Sequence, residues 1–139
     1  MVAIPSPLNV PYQLKAVSTA KFTITELPDG RTRYGIEHQL LAGVTPEMIV
    51  WYLNHMTDLI EVGGETVQRY RMWHPRDHIK LTYLKPATDG RNFGTGAHVR
   101  IEEAFRADPK YALNVVAHVD FLDETGFAHY ETMAGMKVA

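Results

Sequence analysis

A single helical stretch among runs that alternate at period two constrains this fold more than any other feature. In "GVTPEMIVWYLNHMTDLIEVGG", Thr45 suits the N-cap, Pro46 the first helical position and Glu47 the positive end of the helix dipole. Gly63 and Gly64 are read as its stop. Met48, Ile49, Tyr52, Leu53, Met56, Leu59 and Ile60 then fall at helical spacing as one broad apolar face directed at the core, with His55 beside it. Around this segment the chain reads as strands. "KFTITEL" and "TRYGIEHQL" form a hairpin about Pro28-Asp29-Gly30. "TVQRYRMW", "HIKLTYL", "AHVRIEEAF", "VVAHVDFLD" and "FAHYETMAGMKV" read as further strands, with a loop at "KPATDGRNFGTG" and a turn or short helix at "RADPKYALN". Many strands with one strong early helix predict an α+β fold, a curved antiparallel sheet packed on helices. The first fifteen residues, with three prolines, read as an extended arm laid across the surface.

A chain of 139 residues has the length of a single domain, and no repeat or linker divides it. With no cysteine, zinc fingers, iron–sulfur centres and thiol catalysis are excluded, so any metal must be held by histidine and carboxylate. Seven histidines and sixteen Asp and Glu residues make such a site feasible. A formal charge of -2 without a basic run argues against a nucleic-acid partner and favours a neutral organic ligand. No run approaches the ~20 apolar residues of a membrane span. The prolines of "MVAIPSPLNVPYQLK" also break any signal-like stretch, so the expected location is cytoplasmic.

The chemistry concentrates at "WHPRDHIKL". His74 and His78 are four apart, which brings Cβ atoms to roughly 5–6 Å in a helical turn but to about 13 Å in an extended segment. The geometry of the corner therefore decides whether both imidazoles or one can ligate an ion. Asp77 is placed to orient either ring. The alternative is a satisfied structural pair at a strand end. In "GAHVRIEEAF", period two sets Glu103 on a face with Val99, Ile101 and Phe105, where an unpaired carboxylate is costly. A bulge would give that place to Glu102; a surface Glu pair on an edge strand is the plain alternative. Tyr70, eight residues before His78, is either core packing or an acid/base group in a cavity.

Taken in order, "GVTPEMIVWYLNHM", "RYRMWHPRDHIKLTYL" and "GAHVRIEE" resemble the 2,4-diacetylphloroglucinol/phloretin hydrolase family over about residues 34 to 105. The resemblance implies a Bet v 1-like helix-grip fold, in which a curved antiparallel sheet wraps a long C-terminal helix. It also implies hydrolysis of the bond between an acyl carbon and a polyhydroxylated aromatic ring, with zinc held by two histidines and two glutamates. His78 would be the first histidine ligand and Glu102 or Glu103 the first glutamate. Tyr70 would be the catalytic tyrosine, and His74 with Asp77 the supporting residues. A small aromatic ketone is the implied substrate and a homodimer the implied assembly. The family's second His and Glu lie four apart on the long helix, and no such pair follows in this chain. His118 and His129 lack a glutamate four residues on, so the domain is expected to be an incomplete member. Two other readings stay open: a helix-grip module that binds a small aromatic or polyketide ligand without catalysis, and a metal-free association domain.

Overall fold

The computed structural model describes residues 3–133 and 136–138, with side chains through Glu131. Within it the chain forms two compact units, Tyr12–Val44 and the remainder.

The smaller unit is the hairpin. Strand β1 (Lys21–Glu26) pairs antiparallel with β2 (Thr32–Glu37), with Phe22 opposite Ile36 and Ile24 opposite Tyr34. Asp29 closes the turn by accepting from the Arg31 backbone N–H at 3.1 Å and its Nε at 2.8 Å, while Gly30 takes the positive φ of 82°. The paired apolar residues share one face and remain mostly exposed.

The larger unit begins with the arm. It runs extended and mostly exposed, and Leu8 anchors it by being buried, with its N–H on the Pro75 carbonyl at 3.0 Å. Helix α1 (Pro46–Asn54) starts as the sequence predicts, with Thr45 Oγ1 accepting from the Met48 N–H. It stops nine residues later, well short of the glycines. The reason lies in its last turn, where tertiary partners take up the polar groups. The Tyr83 hydroxyl donates to the Leu53 carbonyl at 2.6 Å and accepts from the Met56 N–H at 3.1 Å. Asn54 accepts the Phe93 N–H on its side chain and the Asn92 amide on its carbonyl. Leu59–Val62 is consequently a strand, β3, paired with β4 (Glu65–Gln68), and Leu59 is exposed rather than part of a helical core face.

The expected strand through "RYRMW" is also corrected. Arg69 and Tyr70 donate their N–H groups to the carbonyls of Asp58 and Met56 at 2.8 Å each, which turns the chain into the short helix α2 (Tyr70–Trp73). Beyond it lies an antiparallel meander in sequence order: β5 (His78–Lys85), β6 (His98–Ala104), β7 (Ala112–Asp123), β8 (Gly126–Met133) and β9 (Met136–Val138). The expected last strand is thus two, β8 and β9. Irregularities in the β5–β6 and β7–β8 registers bend the sheet locally. Its inner face carries Leu81, Val99, Ala117, Val119 and Leu122, packed with Leu53 and Met56 from the end of α1 and just beyond it, and with Tyr70 of α2. The architecture is therefore α+β, mostly antiparallel sheet with few helices. Among the described residues no helix is long and apolar enough to cross a membrane.

Candidate active site

Three elements bring the predicted polar residues together. Tyr70 opens α2, His78 opens β5, and Glu103 sits near the end of β6 directly opposite His78 in the register. The tyrosine and histidine rings stack with centroids 4.0 Å apart and planes 8° from parallel. His78 Nδ1 lies 3.0 Å from the Tyr70 carbonyl, so this nitrogen carries the proton and donates. Nε2 is left with its lone pair, 3.3 Å from Glu103 Oε1. The same carboxylate oxygen accepts a short hydrogen bond from the Tyr70 hydroxyl.

The environment fixes the protonation states. Burial lowers the His78 pKa below the ordinary imidazole value, outweighing the Tyr70 carbonyl and the Glu103 charge that favour the cation. Burial, reinforced by Glu103, raises the Tyr70 phenol far above its usual range, so its proton stays in place. A neutral imidazole lone pair and a carboxylate therefore meet across 3.3 Å, an arrangement suited to a shared cation or proton.

The supporting corner is organised by Asp77. Its buried carboxylate accepts from Arg76 Nε at 2.7 Å and from the Arg106 N–H at 3.0 Å, and its carbonyl accepts the Ala104 N–H at 2.9 Å. The turn is thereby tied to the end of β6, next to Glu103. Asp77 acts through the backbone, while its Oδ2 stands 3.8 Å from His74 Nδ1, too long for a hydrogen bond. His74 Nδ1 instead accepts the Asp77 N–H at 3.3 Å, and its ring centre is 5.7 Å from that of His78. It lies outside the set of side chains lining the cavity described next. Glu102 does not join the site: it pairs across the strands with Lys80 and Asn114 on the opposite sheet face.

His78, Glu103 and Tyr70 line a cavity of about 290 Å³ whose walls are largely apolar, including Leu53, Met56, Phe93 and Val99. Sequence reasoning missed a second polar pair on this wall. His129 and Glu131 of β8 also line the cavity, with Nε2 and Oε1 3.7 Å apart. Their spacing of two places both on one face of a strand, a signal hidden while only helical spacing of four was sought. Among the described residues, no three His, Asp or Glu side chains converge as a group able to hold a metal ion. A more open groove of about 970 Å³ lies elsewhere, along α1 and the 90–92 and 122–125 segments, away from the Tyr70–His78–Glu103 cluster.

No protein-family model, curated protein or solved structure matches this chain.

Proposed function

We propose that the chain is a zinc-dependent hydrolase domain that cleaves the carbon–carbon bond between an acyl group and a polyhydroxylated aromatic ring. The observation that carries this reading is the convergence of His78 Nε2, Glu103 and the Tyr70 hydroxyl in one apolar cavity. In the same reading the five-stranded sheet is the grip of a helix-grip fold, and the active assembly is a homodimer in the cytoplasm.

His78 and Glu103 fit zinc by donor type and by the free lone pair on Nε2, although catalytic zinc takes three protein ligands and these are two. Bound there, zinc would polarise a ketone oxygen or lower the pKa of a water. The protein's own groups supply the rest. The apolar walls exclude bulk water and hold an aromatic ring. With its one proton firmly held and directed at Glu103, the Tyr70 oxygen is suited to orienting a substrate phenol by accepting its hydroxyl proton in a hydrogen bond rather than to giving its own proton away. His129 and Glu131 offer a second polar contact for a ring hydroxyl.

The test is incubation with an acylated phloroglucinol or phloretin-type ketone, with zinc supplied, followed by product analysis. The reading expects the deacylated phenol and the free carboxylic acid in equal amounts, and loss of both products in His78→Ala. A second reading, a non-catalytic module for a small aromatic or polyketide ligand, is favoured by the two-donor set inside an apolar cavity. It expects saturable binding of the same ketone with no products.

A further inference from the structure

On the sheet face opposite the cavity, His98 of β6 stands directly across from His118 of β7. Their neighbours Val99 and Ala117 point inward, so period two turns both imidazoles outward, where each is partly exposed. The ring centres are 4.2 Å apart at an interplanar angle of 61°, and His118 is stacked on Tyr130 of β8 at 5.0 Å and 7°. Among the described residues, no hydrogen bond engages a ring nitrogen of either histidine. Two imidazoles are thus fixed side by side by strand register and an aromatic platform, with their lone pairs unused.

We propose that His98 and His118 form a cross-strand clip that chelates a divalent transition-metal ion, separate from the cavity. At metal–nitrogen distances of ~2.0–2.1 Å, two imidazoles on one ion place their ring centres about 4.5–5 Å apart. The observed 4.2 Å is slightly shorter than that separation, so the two side chains would have to open a little to hold the ion. Imidazole donors suit copper, nickel and zinc, and the order of divalent affinities makes Cu²⁺ the tightest probe. Desolvation first, then His118 and Lys85, lower the His98 pKa from its ordinary value. The Lys85 charge, across the strand from His98, also opposes an arriving cation, so the clip is a modest site rather than a buried structural one. Because the ion bridges β6 and β7, binding stabilises the folded chain.

The experiment titrates Cu²⁺ alone into the His78→Ala chain, which removes the cavity's histidine ligand, and follows electron paramagnetic resonance together with thermal unfolding. The clip predicts one ion with two nitrogen ligands and a rising unfolding temperature. Adding His98→Ala or His118→Ala should weaken binding roughly tenfold or more, since the second donor acts at high effective concentration, and should abolish the thermal shift. Unchanged affinity and nitrogen count in either double variant overturns the proposal, as does the absence of binding to the His78→Ala chain. Failure of hydrolysis leaves this result untouched, because the clip lies on the other face of the sheet.

Discussion

Glu103→Ala is expected to abolish the proposed zinc-dependent hydrolysis and to cost about 1–3 kcal/mol of stability. Both effects arise from one oxygen, which accepts the Tyr70 hydroxyl and faces His78 Nε2. Tyr70 is buried, so removal of the carboxylate leaves a hydroxyl donor without its acceptor in an apolar cavity. It also removes the only carboxylate described at hydrogen-bonding range of His78. Glu103→Gln separates the two contributions. The amide oxygen still accepts from Tyr70, so stability should recover much of the loss, while the anionic ligand remains absent. Chemical denaturation and zinc titration of the two variants check this. Equal stability loss in both would locate the effect in charge rather than in the Tyr70 hydrogen bond.

Asp77→Ala is expected to destabilise the larger unit by about 2–4 kcal/mol, with the site loosened as a consequence. The carboxylate accepts the Arg106 N–H, and Arg106 and Ala107 hold positive φ values of 63° and 54°, which non-glycine residues adopt at a cost. Without that acceptor the turn after β6 loses its anchor three residues from Glu103, while the backbone bond from Ala104 to the residue 77 carbonyl remains. The effect has a defined pH dependence. Burial opposes ionisation of Asp77, but the Arg76 and Arg106 contacts outweigh it and hold the carboxyl below the usual carboxylate range. A depressed folded-state pKa contributes stability that is complete above the unfolded value of about 4 and is lost as pH falls through the folded value. Denaturation midpoints of wild type and Asp77→Ala, widely separated at neutral pH, should therefore converge in acid.

Local chemistry made several features legible in advance. The hairpin about Pro28-Asp29-Gly30 and the start of α1 at Thr45 follow from turn and capping residues that act over a few positions. Strand parity put Glu103 on an apolar face with Glu102 as the alternative if the register shifted, and the register sets Glu103 opposite His78. What escaped was decided by distant partners. Leu59 and Ile60 keep helical spacing after Met56, yet Tyr83, Asn92 and Phe93 claim the end of α1 and release them to β3. Tyr70 read as a strand residue until the 56–58 carbonyls turned that segment into α2, and this turn is what stacks it on His78. The spacing of two puts His129 and Glu131 on one face of a strand, but only the β7–β8 pairing brings that face to the cavity.

The proposed metal-binding pair of His78 and Glu103 in the cavity is tested most directly by zinc titration of untagged protein against a competing chromophoric chelator. The titration is carried out in a His98→Ala background, so that the outer face does not contribute. One zinc per chain is predicted, with affinity falling roughly 10- to 100-fold or more on His78→Ala and on Glu103→Gln. Zinc binding that is absent, or that is unchanged by both substitutions, would contradict it.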